Sequence, residues 1–187
     1  MRHNFQRLGM TLLVCAACGS SPAGEEKQDD KTETRAAVLN VLASPLDFEV
    51  EPDSAFEVLR KLEAKIRERY AEVPSGFRFE MIGGDLQLEG ITRNQRITNL
   101  AVKDKTVAEI LTTIIVQMNP DRRIRDLADP NQLLVWTIGS PPHDPDGQIV
   151  VLITTRAAAA KRGYPLPAEF VPNVLKLNGI PLQRKPR

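Results

Sequence analysis

The strongest constraint on this chain is a repeat. Residues 46–59 read L-x-F-x-V-x-x-x-S-x-x-E-V-L, and residues 98–111 read T-x-L-x-V-x-x-x-T-x-x-E-I-L. In each copy apolar and polar residues alternate, the period of a half-buried strand. Each then reaches Ser54 or Thr106 followed three positions later by Glu57 or Glu109, the signature of a capping box at a helix start. Beyond the cap the apolar spacing changes to three and four: Phe56, Leu59, Leu62, Ile66 and Tyr70 in the first copy, Val107, Ile110, Leu111, Ile114, Ile115 and Met118 in the second. A strand running into an amphipathic helix leaves one apolar face on each. Two such units bury those faces best by laying both helices on sheet, so the expected fold class is α+β.

The connecting stretches extend the pattern. Pro52-Asp53 and Lys103-Asp104-Lys105 read as turns between strand and helix, and Glu57/Lys61 and Glu63/Arg67 place acid before base one helical turn apart. The first helix should stop before Val73-Pro74-Ser75-Gly76 and the second at Asn119-Pro120. Residues 77–82 alternate and 133–138 are continuously apolar, so each helix is followed by a strand. A last strand, 149–154, pairs with 133–138 through the turn-rich GSPPHDPDGQ loop. The order is β-α-β, β-α-β-β, a small βαββαβ-type two-helix sheet domain with a C-terminal hairpin strand over residues 38–163. With aromatics at 5%, its core must rest on Leu, Ile and Val; a formal net charge of +1 removes the electrostatic argument for a nucleic-acid binder.

The N-terminus has a different character. Two arginines and no acid precede an apolar run, 8–17, too short to span a bilayer, and Ala16-Ala17 supply small residues for cleavage. Ala16-Ala17-Cys18 followed by Gly19-Ser20-Ser21-Pro22 resembles a bacterial lipoprotein signal, with Cys15 where Leu is usual. The resemblance implies a signal peptide over 1–17, lipidation at Cys18, firm attachment through its acyl chains, and a protein facing the periplasm. Gly19, in place of an Asp, favours the outer membrane. The other reading is an ordinary secreted protein in which Cys18 is incidental. On the lipoprotein reading no thiol remains, because Cys15 leaves with the signal. Residues 18–37 are small, polar and charged with no apolar period, the composition of a flexible tether.

The run LEGITRNQRITNLAVKDKTVAEILTTIIVQM carries a second resemblance. Gly90-Ile91, the alternating residues 97–102, Lys103-Asp104, the capped helix 106–118 and Ile153-Thr154-Thr155 are together similar to the secretin and TonB short N-terminal domain family. The likeness covers residues 38–163 and departs from the family at 121–131 and in the long hairpin loop. It implies a module on the envelope side of a membrane that makes protein–protein contacts, with a secretin-like or receptor-like envelope protein as partner. The chain is expected to carry the module and the anchor alone. A structural or cell-wall-binding lipoprotein with no dedicated protein partner is the alternative, and a hydrolase is the weaker third.

No motif for chemistry survives inspection. Glu57 and Glu109 read as caps, Glu63 and Glu68 as a solvated helix face. Asp144-x-Asp146-Gly147 echoes a calcium loop, but aligning Gly147 with the sharp turn puts Pro142 and Ile153 where ligands belong. His143 is the one histidine outside the signal, too little for a His-based metal site or dyad. Ile82-Gly83-Gly84-Asp85 lacks the order of a phosphate cradle and reads as a turn or bulge. Arg93, Arg96, Arg122, Arg123 and Arg125 are solvated loop charge or a face for an acidic partner; Trp136 reads as core. Expected catalytic, cofactor-binding and metal residues are therefore none, with Cys18 the single modified site. Residues 164–187, Pro-rich and basic, are read as a loosely packed tail, with a basic strap for a partner or anionic wall material as the other reading.

Overall fold

The computed structural model describes residues 25–172, with side chains from Lys31 onward. It is an α+β domain of five helices and seven strands. In chain order these are α1 (Glu25–Ala43), β1 (Pro45–Val50), β2 (Asp53–Ser54), α2 (Ala55–Arg69), β3 (Phe79–Met81), α3 (Gly83–Leu88), β4 (Arg96–Ile97), β5 (Leu100–Thr106), α4 (Val107–Met118), β6 (Leu134–Gly139), β7 (Val150–Thr155) and α5 (Arg156–Arg162). A single 3-10 turn, Ala168–Phe170, follows.

The two copies of the repeat pair with each other. β1 runs antiparallel to β5, Phe48 opposite Val102 and Val50 opposite Leu100. The register then shifts between Leu46 and Phe48, since Leu46 faces Lys105. Lys103-Asp104-Lys105 is therefore not the expected turn. It is a bulge inside β5, and Asp104 absorbs the extra residue at φ 51°, a left-handed conformation that Asp tolerates better than most residues. The Asp47 carboxylate fixes it by accepting from the Asp104 N–H at 2.7 Å. The remaining strands form a two-stranded ladder, β2 with β4, and a three-stranded sheet in the order β3-β7-β6. The expected hairpin of the last two long strands is present, each shifted by one residue; β3 adds parallel to β7.

Both helices start as their caps dictate, with one difference. At α4 the box is reciprocal: Thr106 Oγ1 accepts from the Glu109 N–H while Glu109 accepts from the Thr106 N–H. At α2 Ser54 accepts from the Glu57 N–H, but the Ser54 N–H donates to Asp53 at 2.7 Å, so Asp53 takes the role expected of Glu57. Asp53 also captures Lys61 at 2.7 Å, which removes Lys61 from its expected pairing with Glu57. Glu63 and Arg67 pair as their spacing predicts, at 3.3 Å. Ala55, Val58, Leu59, Leu62 and Ile66 of α2 and all six apolar positions expected of α4 enter one core with β6 and β7, whose twelve residues are all buried. Burying each such Leu or Ile contributes about 1.5–3 kcal/mol.

The domain is longer than expected at both ends. Residues 25–37, read as part of a flexible tether, belong to α1. The run is rich in Glu, Lys, Gln, Arg and Ala, all good helix formers, and continues into buried Val38, Val41 and Leu42. Those three sit at helical spacing and pack α1 against α4. Arg35 Nη1 donates to the Ile138 carbonyl at 2.9 Å, tying the polar half to the hairpin. At the other end, residues 164–172 are not a loose tail. Phe170 is fully buried edge-to-face on Trp136, Thr137 Oγ1 donates to the Pro165 carbonyl at 2.6 Å, and Tyr164 Oη to that of Ser140 at 2.8 Å. The Arg156 guanidinium donates to three backbone carbonyls, Leu127, Gln132 and Phe170, and so holds loop and C-terminal segment together. α5 follows the last strand directly and starts on Thr155, whose hydroxyl accepts from the Ala158 N–H. Residues 1–24, including Cys18, and 173–187 lie outside the described residues.

Candidate functional site

A cleft of about 410 Å³ lies between α2, β3 and the β6–β7 loop. β3 is an edge strand, bonded to β7 on one side only. The Val151 N–H donates to the Arg78 carbonyl and the Ile82 N–H to that of Ile153, so residues 78, 80 and 82 direct backbone groups at β7. By the alternation of a parallel ladder, the N–H and C=O of Phe79 and Met81 point the other way, toward the cleft, where the Met81 carbonyl accepts from Arg93 Nη2 at 3.4 Å.

Three aromatic or charged side chains define the walls. Phe56, expected on the buried stripe of α2, is 43% exposed. The stripe is centred on Val58, Leu59, Leu62 and Ile66, and Phe56 falls to one side of it, over the cleft. Phe79 stands against Phe77 edge-on at 5.4 Å and offers its remaining surface. Arg93 closes the end beyond β3. Its guanidinium lies close over the Gly83 backbone, where a Cβ would meet Nη2 at 2.7 Å unless the arginine shifted.

The floor behind Gly83 and Gly84 is held by a buried ion pair that sequence spacing does not reveal. Asp85, 5% exposed, accepts from Arg162 Nη1 at 2.5 Å and Nη2 at 2.7 Å, and from Thr154 Oγ1 at 2.5 Å. The guanidinium holds the Asp85 carboxyl below the usual carboxylate range despite its burial. Ile82-Gly83-Gly84-Asp85 is thus the start of helix α3 rather than a turn. No Ser, Thr, Asn or Asp precedes it as a cap, so the usual start signal is missing.

The other residues singled out by sequence are dispersed. His143 sits on the hairpin loop, as expected, at the mouth of the cleft, with Nδ1 3.5 Å from Glu80. The loop closes on itself through the Gly147 N–H to the Asp144 carbonyl; a Cβ at 147 would meet Asp144 Oδ2 at 1.9 Å. Among the described residues no group of three or more His, Cys, Asp and Glu could hold a metal ion. The arginines do not form one face. Arg93 lines the cleft, Arg122 donates to the Arg96 carbonyl at 3.3 Å, and Arg123 grips Asp121, pushing that carboxyl down to about 2. Glu109 is a cap; Glu57 and Glu68 pair with Arg60 and Lys65 on the surface of α2. Trp136 is core, its indole N–H donating to Thr112 at 2.9 Å.

No family profile, curated protein or solved structure matches this chain. Among the described residues no helix is long and apolar enough to cross a membrane.

Proposed function

We propose that the chain is a lipid-anchored cell-envelope protein, attached through Cys18, whose domain over 25–172 is a non-catalytic protein-interaction module acting in secretion or outer-membrane signalling. The observation that carries the reading is the cleft beside β3. An edge strand there turns backbone donors and acceptors toward a groove walled by Phe56 and Phe79, the equipment for adding a strand from another protein. The sequence 16–22 supports the anchor, and the likeness of 38–163 to secretin and TonB short N-terminal domains supports the setting.

Two measurements test it. Cys18→Ala should release the protein from membranes and abolish acyl labelling; a wild-type chain that is already soluble and unlabelled sinks the anchor. From detergent-solubilised envelopes, the wild type should recover a stoichiometric protein that Phe56→Glu does not. Recovery only with sacculi would instead establish the cell-wall-binding alternative.

A further inference from the structure

Resting on the interaction reading, we infer that the cleft selects an extended segment of a partner protein in which an acidic side chain follows an apolar one, the acid bonding to Arg93 and the apolar group lying on Phe56 and Phe79. Charge complementarity along the strand edge carries it. The carboxylates of the lining are already engaged: Glu63 by Arg67 at 3.3 Å, Glu80 by Arg78 at 3.0 Å and by His143. Arg60 faces Glu57 at 3.6 Å. Arg93 differs. Of its five N–H groups, one donates to the Met81 carbonyl, at 3.4 Å, and among the described residues no carboxylate lies within ion-pair distance of it. Its guanidinium fork lies over Gly83 and caps the Met81 carbonyl at the end of β3, so a strand added beside Phe79 would end against it. A carboxylate is the group that matches that fork in shape and charge. Side chains of an added strand alternate between faces, so those on the cleft side meet the two phenyl rings and then the guanidinium.

The test pans a displayed library of random linear nonapeptides on the lipidated full-length protein in nanodiscs, and measures enriched peptides by fluorescence anisotropy. Enriched peptides should carry Asp or Glu beside apolar residues. Exchanging that acid for its amide should weaken binding to the wild type roughly tenfold, and should change binding to Arg93→Gln little. Arg122→Gln, which is not among the residues lining the cleft, should bind as the wild type does. Peptides without an acid, or an acid-to-amide loss undiminished in Arg93→Gln, overturn the inference; the cleft reading then stands if Phe56→Glu still abolishes binding. Peptides that bind Phe56→Glu unchanged, or no enrichment at all, overturn the cleft itself.

Discussion

Arg162→Met is the sharpest perturbation of what holds the cleft floor. The wild-type pair joins α3 to α5, and Thr154 brings in β7. Methionine keeps most of the stem's packing but removes both guanidinium bonds, leaving a carboxylate whose side chain is 7% exposed with one hydroxyl partner. Breaking such a pair leaves an uncompensated buried charge, and with Arg162 itself 30% exposed to water the loss should be about 3 kcal/mol, near the low end for buried pairs. For a domain of this size that is roughly 6–12 °C in melting temperature. Urea unfolding at neutral pH, read by circular dichroism, measures it. The pH dependence gives a second check with a definite sign. In the wild type the folded Asp85 pKa lies below its unfolded value, so its contribution is present above about pH 4 and is lost as pH falls through the folded pKa. In Arg162→Met burial is no longer offset, the folded pKa rises above the unfolded one, and the variant gains stability relative to the wild type on acidification. The gap between the two should therefore narrow as pH falls, first through the variant's raised pKa above about pH 4 and then through the wild type's lowered one below it. A loss under 1 kcal/mol, or a gap constant from pH 7 to 3, refutes the view that Arg162 sustains a buried charge.

Two further stability predictions follow from backbone geometry. Thr106→Ala removes the hydroxyl of the reciprocal box and should cost about 1 kcal/mol in urea unfolding. Asp104→Val places a β-branched residue at φ 51° and should cost about 1–2 kcal/mol, whereas Asp104→Gly should be neutral to mildly stabilising in the same assay, since the 2.7 Å bond to Asp47 uses the backbone N–H that both variants keep.

What the sequence made legible was local. The strand-to-helix repeat, the Thr106 box, the hairpin of the last two strands and the core faces of α2 and α4 all follow from side-chain period and cap chemistry within a dozen residues. What it hid depends on residues far apart in the chain. Asp85 and Arg162 have no reason to be associated until β3, β7 and α5 are in place. The helix in 25–37 is hidden because that stretch has no apolar period of its own, and the apolar residues that dock it, Val38, Val41 and Leu42, lie beyond it at the far end of α1. Phe56 fits the three-and-four spacing well enough to pass as core; only the angle of the buried stripe shows that it is not. Of the cleft, the sequence disclosed the strand and the glycines but not that Phe56, Phe79 and Arg93 would line it together.

The repeat also explains why the cleft lies where it does. Aligning Ser54 with Thr106 sets Phe56 against Ala108, Arg60 against Thr112 and Glu63 against Ile115. In the second copy the helix is followed by a six-residue strand, β6, which packs under α4: Trp136 bonds to Thr112, and Ile115 is fully buried. In the first copy the following strand, β3, is three residues long and stands at the sheet edge, because β7 occupies the place beside β6 and pairs with β3 on its one remaining side. The α2 surface equivalent to the one that meets β6 is left without a comparable cover. Its residues have the chemistry of that exposure, an aromatic ring and two charged side chains where α4 has Ala, Thr and Ile. The second copy keeps a concavity of its own, about 480 Å³ against Leu127 and Glu169, where Ala108 and Thr112 stand at the positions of Phe56 and Arg60. The opening beside α2 follows from the length and edge position of β3.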